Sequence, residues 1–206
     1  MASIITATTT SGLTQSADNS GVLQLASGTG NLVTVPSVTG TMALTTSGTP
    51  VADMWYLSTT YSNATDTQTF LTSNIGRIDF AGTGTVGVMT EASGVFTFPQ
   101  TGLYRVVFAT AFYSNSNTAR YCVNQINVST NGGSSYTIPA TSYCAINAIV
   151  GGSNTFGNSF NEIQINVSST SNVKVKFSTN TTNTINVYGG PANGTYMLFT
   201  RLGNSV

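Results

Sequence analysis

Between residues 94 and 109 apolar and polar positions alternate almost without a break, first as Gly94-Val95-Phe96-Thr97-Phe98-Pro99 and then as Leu103-Tyr104-Arg105-Val106-Val107-Phe108-Ala109. A period of two marks a strand with one face buried. Shorter runs of the same kind are Arg77-Ile78-Asp79-Phe80, Ile163-Gln164-Ile165-Asn166-Val167 and Val173-Lys174-Val175-Lys176-Phe177, together with residues 121–128, 184–188 and 195–202. Asn131-Gly132-Gly133, Gly151-Gly152 and Gly189-Gly190-Pro191 supply turns between them. No stretch carries the caps and three-turn periodicity of a helix. The pattern predicts an all-β fold, an antiparallel sandwich or jelly roll. Parity assigns the faces: Val173, Val175 and Phe177 inward against Lys174 and Lys176, and Ile163, Ile165 and Val167 inward against Gln164 and Asn166. Cys122, Ile126 and Val128 are expected to point inward.

Residues 1–50 follow another rule. Asp18 is their only charge, they contain no Trp, Tyr or Phe, and Ser and Thr dominate. Three apolar patches, Val22-Leu23-Gln24-Leu25, Leu32-Val33-Thr34-Val35 and Met42-Ala43-Leu44, are divided by Gly28, Gly30, Pro36 and Gly40 and read as three short strands. Without aromatic bulk such strands bury too little surface to offset chain entropy, so they are expected to order against sister chains or a larger structure. The alternative is a flexible tail. Ser47-Gly48-Thr49-Pro50 is the expected linker, giving segment 1–50 and domain 51–206.

Composition sharpens this. Apolar residues are 40% of the 206 but charged residues only 6%, six basic and six acidic, where an ordinary soluble domain is about a quarter charged. A surface built from Ser, Thr, Asn and Gly with zero net charge has little to keep copies apart, which points to assembly. No basic field exists to hold nucleic acid. No run approaches the ~20 apolar residues of a membrane helix, so membrane insertion is not expected. The opening Met1-Ala2-Ser3-Ile4-Ile5-Thr6 lacks secretory-signal features, so synthesis in the cytoplasm is expected. On that basis Cys122 and Cys144 are expected as buried free thiols, although they could pair.

The chain has no histidine, which removes the Ser-His-Asp triad, the Cys-His pair and every His-bearing zinc site. Two cysteines alone do not make a structural zinc centre. The carboxylates are scattered, with no calcium-loop or paired-acid spacing. The glycines of residues 81–87 lack the helix and Lys-Ser/Thr of a phosphate loop and read as a turn or bulge. No catalytic residue, metal site or cofactor is expected, with calcium held by loops at a trimer axis as the alternative. Asn-x-Ser/Thr triplets begin at Asn63, Asn127, Asn166, Asn180 and Asn193, and chance accounts for them in so Asn- and Thr-rich a chain. Trp55 with Tyr56 reads as an anchor for the first strand, with a sugar-stacking platform as the alternative. The polar stretches 113–118 and 151–155 read as recognition loops, with Tyr113, Asn115, Asn117 and Asn154 as candidate surface-recognition residues.

The segment from Gly94 through Pro99, Gly102 and Tyr104 to Phe108 resembles the G-x-F-T-x-P-x-x-G-x-Y stretch of the C1q/TNF-like jelly-roll family. Gly194-Thr195-Tyr196-Met197-Leu198-Phe199-Thr200-Arg201-Leu202 is similar to that family's final strand. With Met54-Trp55-Tyr56-Leu57 and residues 74–79, the resemblance spans about residues 54–203. The family's Gly-Asp before its penultimate strands is replaced by Ser171-Asn172. The resemblance implies a homotrimer.

A second resemblance covers the whole chain. Val35-Pro36-Ser37-Val38-Thr39-Gly40-Thr41-Met42-Ala43-Leu44 is similar to short segments of tailed-bacteriophage fibre and appendage proteins. It implies a non-catalytic virion structural protein, a fibre, spike or capsid-decoration subunit, with capsid, neck or tail proteins as partners. Val22, Leu23, Leu25, Leu32, Val35, Met42 and Leu44 would then serve virion anchoring and trimerisation below an outward jelly-roll knob. The alternatives are a tail-tip adhesin for host surface glycans and a cellular C1q-like extracellular binding protein.

Overall fold

The structure, a computed structural model, describes residues 3–8, 12–16, 23–27, 31–34, 49–78, 82–147, 151–190 and 194–206. The chain divides into two compact units, 1–46 and 47–206.

In the smaller unit, β1 (Ser3–Thr8), β2 (Gly12–Ser16), β3 (Leu23–Ser27) and β4 (Asn31–Thr34) form a four-stranded sheet in the order β2-β1-β3-β4. Ile5 of β1 lies opposite Leu25 in a parallel pairing, and the other two pairings are antiparallel. Two of the three expected strands thus exist as β3 and β4, carrying Leu23, Leu25 and Leu32. Strands β1 and β2 were not expected, because Ser3-Ile4-Ile5-Thr6-Ala7-Thr8 is β-branched without alternating. Val22, Val35, Met42 and Leu44 lie outside the described residues, as do Asp79, Phe80 and Asn193.

The larger unit is all-β. Its strands are β5 (Ala52–Leu57), β6 (Tyr61–Asn63), β7 (Thr69–Phe70), β8 (Ile75–Arg77), β9 (Thr90–Ala92), β10 (Val95–Thr97), β11 (Gly102–Ser114), β12 (Ala119–Ser129), β13 (Thr137–Ile146), β14 (Thr155–Val167), β15 (Lys174–Thr181), β16 (Ile185–Val187) and β17 (Tyr196–Gly203). One sheet runs β13-β12-β15-β10-β9, with β7 also on β15. The other runs β6-β16-β11-β17-β5-β8, with β14 along the remaining edge of β11. Every named strand pairing in this unit is antiparallel. The chain crosses between sheets from β11 to β12, from β13 to β14 and from β14 to β15, the jelly-roll arrangement.

Aromatic residues fill the space between the sheets. Phe96 stands edge-on to Trp55 at 5.3 Å and to Phe177 at 5.4 Å, and lies 5.0 Å from Phe199. Phe98 packs on Tyr104 at 4.6 Å, and the Tyr104 hydroxyl donates to the Gln100 carbonyl at 3.0 Å. The Gly94–Tyr104 motif is therefore a core device. Ser93 (φ 50°) and Gly94 (φ 80°) make the two-residue hairpin turn from β9 to β10, both in the left-handed region. A Cβ on Gly102 would lie 2.6 Å from the Gly203 carbonyl, so only glycine lets β11 start against the end of β17.

The expected inward sets hold. Val173, Val175, Phe177, Ile165, Val167, Cys122 and Ile126 are buried, and Ile163 and Val128 pack partly buried against them. Trp55 is 8% exposed, with Nε1 donating to Asp53 Oδ2 at 3.0 Å, so it anchors the core and offers no sugar platform. Asp53 is fully buried. It also accepts from Arg77 Nε at 3.0 Å and from the Met89 amide at 2.8 Å, while Arg77 lies over the Trp55 ring at 4.4 Å.

Candidate functional site

A sandwich normally turns apolar side chains inward and polar ones to water. The larger sheet breaks this rule on its outer face, where register lines up residues from four strands. Phe160 of β14 lies opposite Ala109 of β11, Ala109 opposite Tyr196 of β17, and Tyr196 opposite Tyr56 of β5. The next row is Glu162, Val107, Leu198 and Met54. Beyond it Gln164, Arg105, Thr200 and Ala52 form a polar boundary.

At the other end Tyr113, Phe156 and Tyr188 gather with ring centroids 5.5–6.3 Å apart. Tyr188 folds over Gly194, where a Cβ would sit 2.2 Å from its ring. Phe156 and Phe160 are 54% and 52% exposed. Between Phe160, Ala109, Asn158, Gly194 and Tyr196 the face dips into a shallow depression of about 280 Å³. With strands ~4.8 Å apart and ~3.3 Å per residue, these rows span roughly 400–500 Å² of sheet, of which Phe156 and Phe160 are the well-exposed part while Val107 is buried.

Charge is scarce here. Arg105 pairs with Glu162 across β11 and β14, each side chain about half exposed, so the pair is screened and adds little.

The predicted recognition residues meet this face at one end only. Tyr113 belongs to β11 itself and not to a loop, since β11 runs on to Ser114 and Tyr113 stacks against Phe156. Asn115 and Asn154 are exposed at the same end, because Ser114 lies opposite Thr155. Asn117 is tied down: its amide donates to Ser114 Oγ at 2.9 Å and its Nδ2 to the Thr184 carbonyl at 3.1 Å. Phe156, Phe160, Tyr196, Leu198, Tyr56 and Met54 were not picked out from the sequence as surface groups. One signal could have found two of them: Phe156 and Phe160 share parity with the outward Gln164.

Elsewhere the polar side chains serve the fold. Asn124 is fully buried, and its Nδ2 donates to the Phe108 and Ser159 carbonyls at 2.9 and 3.1 Å. Asn63 and Asn127, which begin two of the glycosylation-type triplets, are buried and hydrogen-bonded. Glu91 accepts from the Gly94 amide, and Asp66 from the Tyr121 hydroxyl at 2.9 Å. Among the described residues no three His, Cys, Asp or Glu side chains converge to hold a metal ion.

No protein-family model matches the chain, and no curated protein does. Solved structures do. Eiger TNF from S. frugiperda aligns with a TM-score of 0.56 at 9% identity, over 77% of this chain and 96% of that one. Two structures of murine APRIL, at pH 5.0 and pH 8.0, align at 10% and 12% identity with TM-scores of 0.46, over 74% of this chain and 99% of each of those. At such identities the likeness speaks of fold alone, and the fold of the larger unit is the TNF/C1q-like jelly roll.

Proposed function

We propose that this chain is a non-catalytic, self-associating structural and binding protein, a homotrimer joined through the outer face of the larger sheet. The observation that carries this reading is the outer face on which Phe160, Tyr196 and Tyr56 share one row and Leu198 and Met54 the next, all of them partly or well exposed. A sheet face of that composition loses hydration free energy of ~25 cal/mol for each Å² of apolar surface left in water. The depression beside Phe160 and Tyr196 gives a protruding side chain of a second copy somewhere to seat. A low-charge surface elsewhere offers no repulsion between copies.

The finer reading is a virion subunit of a tailed bacteriophage, a fibre, spike or decoration protein. The smaller unit would attach to capsid, neck or tail, and the jelly roll would face outward. Its support is the likeness of residues 35–44 to phage appendage segments. Three copies per trimer and many trimers per particle would turn weak contacts with host glycans into avidity. A cellular binding protein of the C1q/TNF type is the second reading, favoured by the shared fold with Eiger.

Sedimentation equilibrium of the full chain tests the assembly, with a mass three times that of the monomer expected and a monomer at micromolar concentration counting against it. Symmetry-resolved copy counting in intact particles tests the location. Absence from particles would leave the cellular reading in place of the virion one.

A further inference from the structure

Cys122 of β12 and Cys144 of β13 lie directly opposite each other in an antiparallel pair, and neither is in a disulfide. Residues so placed project from the same face, with Cα atoms ~4.5–5.5 Å apart, inside the ~4.4–6.8 Å span that a disulfide bridges. The two sulfurs are not equivalent. Cys122 is fully buried in the sandwich core, whereas Cys144 is half-buried on the edge strand, its Sγ beside Gly157 of β14. A Cβ on Gly157 would approach that sulfur to 3.3 Å, so glycine leaves it room.

We infer that Cys122 and Cys144 form a dithiol site whose co-substrate is a low-molecular-weight disulfide such as oxidised glutathione, and which closes reversibly into a strand-to-strand bond. Exposure sets the order of events, since Cys144 is the sulfur nearer solvent. A thiol–thiol hydrogen bond acts in the same sense, pushing the Cys122 thiol up together with burial and lowering Cys144 against burial. Cys144 is therefore the entering nucleophile and Cys122 the resolving thiol.

The Cys144 thiolate attacks one sulfur of the glutathione disulfide and expels a glutathione thiolate, leaving a mixed disulfide. Cys122 then gives its proton to that glutathione thiolate and attacks Cys144 Sγ, expelling the second glutathione as a thiolate, which takes up from solvent the proton that Cys144 released on ionising. Two electrons pass from the protein dithiol to glutathione, and two hydrogens leave the protein. The bond closes a loop containing the β12–β13 turn and fastens β13, the outermost strand of its sheet, to its neighbour. This inference is independent of the assembly and location proposed above.

The test is incubation of the folded full chain with oxidised glutathione, followed by intact mass and peptide mapping with iodoacetamide quenching. The expected product has lost two hydrogens, joins the Cys122 and Cys144 peptides within one chain, and reverts with dithiothreitol. Its thermal midpoint should rise by about 6–12 °C, a rise missing in Cys144→Ser. Cys144→Ala serves as the control should the serine variant fail to fold. Alkylation of both thiols after full incubation, a stable glutathione adduct on Cys144, or a bond between two chains would each overturn the inference.

Discussion

Replacing Phe160 with aspartate separates assembly from folding. In the monomer this side chain is half in water on the outer face of β14, so the change costs the single domain no more than ~0.5–1 kcal/mol. In the proposed trimer the same position would lie inside each of three equivalent interfaces. Losing the remaining burial of a phenyl group forfeits ~1 kcal/mol per interface, and desolvating an unpaired carboxylate beside Tyr196 adds at least ~1–2 kcal/mol. Over three interfaces the trimer loses about 6–9 kcal/mol, which at ~1.4 kcal/mol per decade shifts its association constant by about four to six orders of magnitude. The assay is sedimentation equilibrium at micromolar concentration, with urea unfolding of the same sample. Phe160→Asp is expected to sediment as a folded monomer that still unfolds cooperatively, at a urea midpoint below the parent's because the stabilisation from association is lost. A variant that stays trimeric would refute the assignment of this face, and one that fails to fold would refute the outward placement of Phe160.

Gly94→Ala should lose at least ~2 kcal/mol in chemical denaturation, since φ is +80° and the new Cβ would lie 2.0 Å from the Leu71 carbonyl oxygen. Asp53→Ala strands the Arg77 guanidinium and the Trp55 and Met89 N–H groups, and a loss of about 3–5 kcal/mol is expected from urea titration. Burial pushes Tyr61 and Tyr104 above the ordinary tyrosine range, opposed more weakly by the Thr179 hydrogen bond at Tyr61 and by the Arg201 charge at Tyr104. Their folded pKa is raised, so stability is fully present below pH ~10 and falls as pH rises through the folded values, because the unfolded chain releases those protons first. Tyrosinate absorbance at 295 nm should show the two rings titrating only with unfolding, and their titration in the folded protein would contradict the burial.

Much of the jelly roll was legible because its central strands obey simple alternation. Phe96, Phe98, Tyr104, Val106 and Phe108 all face the core as their spacing demands. Strand β13 escaped notice because half of its positions are exposed and it contains Pro139, so an edge strand carries no hydrophobic period. The first half of β14 escaped for a sharper reason. Its inward residues Ser159 and Asn161 are polar, Ser159 satisfied by Asn124, while its outward residues Phe156 and Phe160 are aromatic. Polarity is inverted there, and a reading that sends apolar groups inside takes the stretch for a loop. The candidate face was hidden by the same inversion that defines it. The ion pair of Asp53 and Arg77 left no local trace either, since it depends on the pairing of β5 with β8.

The sparse charge of that face sets how any assembly built on it should answer to its surroundings. With the Arg105–Glu162 pair confined to one margin, almost nothing in the contact is subject to ionic screening, so changes between dilute and concentrated brine should leave it intact. Cold is the condition it should feel, because apolar association loses its entropic drive as temperature falls. A contact of this kind tolerates wide swings of salinity and loosens on chilling.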